Sequence, residues 1–293
     1  MKALAQLGHL TEPSASSIFL ASLCVALRFT GAAFIMGIWL GRKLISTTRL
    51  EWIQGGGIGV FGGVGLVLQM DGMTYTLAST SAFLTQGYAV LIPLWVAFTQ
   101  RKHPRLAIIG ACTLAVLGAG ILGWDTSSQA GIRFGRGEAE TLLGSVFFAA
   151  QILWLERPCF AINHSLRVST LMFAVMAMTC WLLVWLTAPT LGVIVRVYST
   201  PAGLGLLLFL TCFCTLVTFP LANYWQPKVS ATQAGLLYCT EPMFTSLVAL
   251  FVPGILSGLI GVQYPNETLT WNLVVGGGLI LAANGWLQLS PEK

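Results

Sequence analysis

Ser230 to Pro253 reads S-A-T-Q-A-G-L-L-Y-C-T-E-P-M-F-T-S-L-V-A-L-F-V-P. At about 1.5 Å of rise per residue the run is long enough to cross a bilayer as one helix. It carries Glu241 near its midpoint, with Pro242 directly after it. A carboxylate near a bilayer centre costs about 3 kcal/mol on insertion scales, so it belongs against a partner or a wet cavity inside the protein. Pro242 removes one intrahelical donor and frees the carbonyl of Tyr238, which predicts a kink. On helical spacing Ala234, Tyr238, Glu241 and Thr245 share one face, and Gln233, Leu237 and Thr240 the adjoining one. A polar seam therefore enters an apolar span. It reads either as a polar bond between helices or as a solute or proton site in a transport pathway, and an intramembrane carboxylate favours the second.

Composition extends that reading to the whole chain. Of 293 residues 56% are apolar and 9% charged, too little polar surface to cover a soluble core, so the class is an all-α polytopic membrane protein. The seven cysteines, at 24, 112, 159, 180, 212, 214 and 239, form no metal-ligand spacing and read as small buried hydrophobes. No metal or cofactor is expected. The net charge of +5 does not point to nucleic acid, because the basic residues sit in short loops and not in one patch.

Met1 to Ser17 is polar, holds Pro13 and several serines, and reads as a loop. Nine apolar spans follow, at 18–40, 53–70, 74–99, 106–124, 140–156, 169–189, 201–224, 230–253 and 270–290. Their unbroken hydrophobicity selects helices over a barrel, whose strands would alternate. Assigning alternate loops to opposite sides collects Arg42, Lys43, Arg49, Arg101, Lys102, Arg105, Arg157, Arg167, Lys228 and Lys293 on one side. Only Lys2, Arg133, Arg136 and Arg196 fall on the other, so the first side is expected to be cytoplasmic, with the C-terminus inside. The sequon Asn266-Glu267-Thr268 then lies outside.

The chain also repeats itself. Sliding it by 152 residues lays D-G-M-T-Y-T-L-A-S-T-S-A-F-L, from Asp71, over N-Y-W-Q-P-K-V-S-A-T-Q-A-G-L, from Asn223. Thr80 then meets Thr232, Ala82 meets Ala234 and Leu84 meets Leu236. Spans starting at 18 and 53 move close to those starting at 169 and 201, which predicts two related halves, an N-terminal loop (1–17), a first repeat (18–125) and a second (126–293). The first repeat has four spans and the second five, so the expectation is a bundle of inverted repeats whose first helix is missing, since an odd repeat inverts its copy.

Arg28 is the other ionisable residue deep within a span, placed to pair with Glu241, bind an anionic solute or snorkel outwards; no second carboxylate is expected inside a span. On the third span Ser81, Thr85 and Tyr88 follow helical spacing with Gln86 nearby, and either line the same cavity or bond neighbouring helices. Glycines from Gly55 to Gly65 and from Gly276 to Gly278 permit close helix approach. No phosphate-binding G-x-x-x-x-G-K-[ST] occurs, which argues against ATP-driven transport by this chain alone. His9, His103 and His164 all lie in loops away from Glu241, so no nucleophile with a positioned base is in view and the chain does not read as an enzyme.

The A-L-R-F of Ala26 to Phe29, the T-S-A-F-L-T run leading to Pro93, the F-F-A-A-Q-I stretch around Gln151 and the E-P of Glu241-Pro242 resemble the drug/metabolite transporter superfamily, in particular its EamA-type ten-helix members. The resemblance covers nearly the whole chain and departs from the family at the missing first helix. It implies two inverted five-helix repeats around a central cavity in a bacterial inner (plasma) membrane, working by alternating access as a secondary transporter, in the export direction, of small polar metabolites or amphipathic compounds. Glu241, Tyr238, Gln233, Arg28, Thr85, Gln86 and Tyr88 are the expected substrate-binding or proton-coupling residues. The partners are then a small-molecule substrate and the lipid bilayer, with homodimer formation left open. A lipid or polyprenyl-carrier flippase and a non-transporting scaffold are the competing readings.

Overall fold

The structure, a computed structural model, describes residues 1–99, 106–122, 135–228, 238, 240–261 and 264–289. The described residues form helices and no strands. Seven helical segments are long and apolar enough to cross a membrane, and two shorter apolar helices, Leu106–Leu122 and Trp271–Leu287, accompany them. Each of the nine apolar runs of the sequence overlaps one of these segments, so the chain is an all-α membrane bundle.

The chain divides into two compact units, each built from non-contiguous stretches: Met1–Asp71 with Ala150–Lys228, and Gly72–Ala149 with Val229–Lys293. The first unit holds α1 (Lys2–Thr11), α2 (Ser17–Leu40), most of α3 (Arg49–Tyr75), the end of α7 (Arg136–Leu155), α8 (Ser165–Thr187), α9 (Leu191–Arg196), α10 (Pro201–Thr211) and α11 (Thr218–Trp225). Residues 2–11, expected as a loop, are helical because K-A-L-A-Q-L is rich in strong helix formers and its Ala3, Leu4, Ala5 and Leu7 are buried. Helix α1 packs on α2 and α10.

Helix α2 packs along α8, and Phe29, Phe173 and Phe219 meet there with ring centroids 5.6 to 6.1 Å apart. Helix α3 opens on a capping box, with the Thr48 N–H donating to Glu51 Oε2 at 2.8 Å and the Glu51 N–H to Thr48 Oγ1 at 3.2 Å. Glu51 Oε1 also accepts from the His164 N–H at 3.0 Å. The sequence reading ended this span at residue 70 and began the next at 74. The helix continues to Tyr75 instead and carries Asp71 inside it, fully buried, so a second carboxylate does stand within a span. Between α10 and α11, residues Cys212–Val217 take the wider π-helical turn, in which the Thr215 hydroxyl donates to the Leu210 carbonyl at 3.0 Å.

The second unit holds the start of α7, α4 (Ala78–Thr85), α5 (Tyr88–Thr99), α6 (Leu106–Leu122), α12 (Glu241–Ile260) and α13 (Trp271–Leu289). Helices α6 and α13 touch backbone to backbone. A Cβ added to Gly118 would lie 2.6 Å from the Gly276 carbonyl oxygen, and one added to Gly276 would lie 2.7 Å from that of Gly118. Phe83, Leu273 and Ile280 form the buried cluster beside this crossing. Gly118→Val is therefore expected to destabilise the protein by roughly 3 kcal/mol, since backbone cannot yield as a side chain does. Gly278→Val, at a position with nothing within 4 Å, is the matched control and should unfold like the parent in a thermal melt in detergent.

Candidate functional site

The third apolar run is not one helix. Helices α4 and α5 are separated by a turn at Gln86-Gly87, across which the Gln86 N–H donates to Phe83 O, the Gly87 N–H to Leu84 O and the Ala89 N–H to Gln86 O, at 3.0 to 3.2 Å. These are three-residue bonds in place of the four-residue ladder, so the helix tightens and restarts. Gly87 suits the position because Ser145 Oγ of α7 would lie 3.1 Å from any Cβ there. Ser81 Oγ bonds Thr141 Oγ1 of the same helix α7 at 3.3 Å.

The eighth run also restarts. Thr240 stands in a turn, and α12 begins at Glu241 with Pro242 in its first turn, where a missing N–H costs nothing. Glu241 thus heads a helix, whereas the sequence placed it at the midpoint of a span. Its side chain is exposed, and it has no ion-pair or hydrogen-bond partner among the described residues.

The two interruptions meet. Gln86 Nε2 donates to the carbonyl oxygen of Tyr238 at 2.9 Å, and the rings of Tyr88 and Tyr238 stand edge to face with centroids 6.2 Å apart. Gln86 is 1% exposed, and its Oε1 has no hydrogen-bond partner among the described residues. A buried acceptor left without a donor costs about 1–3 kcal/mol, a cost that a bound donor group removes. Thr85 is buried beside this crossing and its hydroxyl donates to Ser81 O at 2.8 Å.

Of the expected site residues, Tyr238 contacts both Gln86 and Tyr88, with Thr85 and Glu241 near them in sequence. Gln233 lies outside the described residues. Arg28 belongs to the first unit and has its own partners: Nε donates to Thr215 Oγ1, Nη2 to the Cys214 carbonyl at 2.7 Å, and Nη1 to Met1 Sδ at 3.8 Å.

Two residues read differently in the sequence complete the second unit. Pro253 was expected to end its span, yet α12 runs through it to Ile260. Proline leaves the carbonyl four residues earlier without a donor, and here the Glu267 N–H fills that vacancy, donating to Ala249 O at 2.9 Å. The Gly254 N–H turns to Asn266 Oδ1 at 2.7 Å, and Ser257 Oγ both donates to Tyr264 O at 2.6 Å and accepts from its N–H at 2.8 Å. The segment from Tyr264 to Glu267 is thereby stitched to the helix at Pro253. The Glu267 carboxylate then accepts from the N–H groups of Ala78 and Ser79, at 2.7 and 3.3 Å, and from the Ser79 hydroxyl, and so caps α4 from 189 residues away. Burial and the nearby Glu267 charge push the Tyr264 hydroxyl up to about 12. In the sequence Glu267 stood out only as the middle of a sequon; its isolation between two apolar runs was the one available signal.

No protein-family model and no curated protein matches the chain. Its fold is similar to that of a solved structure described only as "Crystal structure of protein", at 14% identity, with 97% of this chain and 93% of the other covered and a TM-score of 0.57. The likeness extends over almost the full length of both chains and concerns the fold alone. Fold and composition together define the chain as an all-helical integral membrane protein.

Proposed function

We propose that the protein is a secondary active transporter of the drug/metabolite type, exporting small polar metabolites or amphipathic compounds by alternating access between two inverted repeats. The observation that carries this reading is the hydrogen bond between Gln86 and Tyr238, which are 152 residues apart, the same displacement that aligns the two halves of the sequence. Helix α5 restarts at Tyr88 and α12 at Glu241, within one residue of that displacement. Spans interrupted at corresponding positions of two repeats, and meeting there, are how many transporters build a solute site within the bilayer. The displacement also carries α3, Arg49–Tyr75, onto the run from Pro201 to Lys228. The basic-residue asymmetry supports a bacterial inner-membrane orientation with the C-terminus in the cytoplasm.

In this reading Gln86 Oε1 accepts a donor from the solute, the tyrosine pair supplies an apolar wall, and Glu241 exchanges a proton as the site opens to either side. Counterflow of radiolabelled solutes in proteoliposomes, across a panel of amino acids and amines, tests it. Wild type is expected to exchange at least one of them, and Gln86→Leu about tenfold more slowly, since it loses both the acceptor and the bond to the Tyr238 carbonyl. No counterflow by wild type across the panel would sink the reading in favour of a flippase or a scaffold.

A further inference from the structure

Arg28 poses a problem that the second unit's site does not solve. It sits in the middle of α2 at 4% exposure and makes no ion pair among the described residues. Its acceptors are neutral: a hydroxyl, a backbone carbonyl and a thioether. Neutral acceptors orient a guanidinium but do not cancel its charge, and an isolated buried ion is unfavourable until a counter-charge joins it. The bundle also aims the group. The wider turn at Cys212–Val217 presents the Cys214 carbonyl and the Thr215 hydroxyl to Arg28 side by side, fixing Nη2 and Nε, while the Phe29 ring lies 5.3 Å from the guanidinium carbon.

We propose that Arg28 forms the binding site for a small carboxylate-bearing solute within the first unit. A guanidinium has five N–H bonds, and each of its three nitrogens here uses one, so one remains on each terminal nitrogen. That pair matches the two oxygens of a carboxylate, whose negative charge offsets that of the guanidinium. Phe29, Phe173 and Phe219, in contact with one another, make the surroundings of the guanidinium apolar, which favours a solute whose remainder is apolar. The site is separate from the Gln86–Tyr238 crossing and stands or falls independently of transport.

Binding of benzoate to the full chain, purified in an uncharged detergent, tests the proposal by calorimetry, with chloride and inorganic phosphate at equal ionic strength as the other arms. Wild type is expected to bind benzoate saturably. Arg28→Lys keeps the charge but loses the fork and should weaken binding about tenfold, and Arg28→Gln should abolish it. Thr215→Val removes the Nε acceptor while retaining shape, and is expected to weaken binding about threefold; it decides the matter if Arg28→Gln does not fold. Undiminished benzoate affinity in Thr215→Val together with either Arg28 variant, no saturable binding by wild type, or binding of phosphate but not benzoate would each overturn the assignment.

Discussion

Glu241→Gln is expected to lower gradient-driven solute accumulation by about two orders of magnitude while leaving counterflow within about threefold of wild type. Glutamine keeps the size and the hydrogen-bonding atoms of the side chain and its place at the head of α12, but it cannot take up and release a proton. Coupling to a proton gradient requires a group that does so, and the carboxylate of Glu241 is free of protein partners among the described residues and exposed where the two interrupted spans restart. The measurement is uptake into proteoliposomes across an imposed pH step, beside exchange with no gradient. Asp71→Asn is the necessary companion, because Asp71 is a carboxylate fully buried inside a span. Wild-type accumulation by the Glu241→Gln protein, with accumulation lost in Asp71→Asn, would move the coupling role to Asp71.

Glu267→Ala should have the largest effect on stability, about 2–4 kcal/mol. It leaves two backbone N–H groups at the start of α4 and the Ser79 hydroxyl without their acceptor, in a place where Ser79 is fully buried. It also removes a negative charge from a helix N-terminus that has no side-chain cap of its own. Hydrogen exchange should show the loss locally, as faster exchange from Ala78 to Ser81, together with a lower melting temperature in detergent. Glu267→Gln can still accept one of the bonds and should fall between the two. Exchange at Ala78 to Ser81 unchanged in the alanine variant would show that the cap contributes nothing.

Much of the bundle was legible because a bilayer imposes a simple rule: the apolar runs of sufficient length became helical, though three of them are interrupted. The ends were less legible. Helix α3 outran its apolar stretch because a helix interior inside a protein tolerates Asp71 and Thr74 where lipid would not. Pro253 looked like a terminator because the donor that satisfies Ala249 O, the Glu267 N–H, is one that no local pattern ties to it. The division into two units was likewise hidden, since each unit combines pieces from both halves of the chain, which only packing reveals. Within the site, Gln86 and Tyr238 could be nominated from polarity, but their contact emerges only where the internal displacement and the two helix breaks coincide. Arg28 and Glu241 illustrate the converse, two opposite charges that the sequence suggested as partners and that the fold assigns to different units.

The cap on α4 also has a consequence in time. The acceptor for its first N–H groups lies 189 residues further along the chain. At about 5–20 residues added per second, the ribosome takes about 10–40 s to reach it. For that interval the beginning of α4 has left the ribosome with its first amides uncapped, while α6, α7 and α8 are still being made. Completion of a segment from the first half of the protein therefore waits on nearly the last loop to be synthesised, and a chain cut short before Glu267 would carry its defect at residue 78, far from the break.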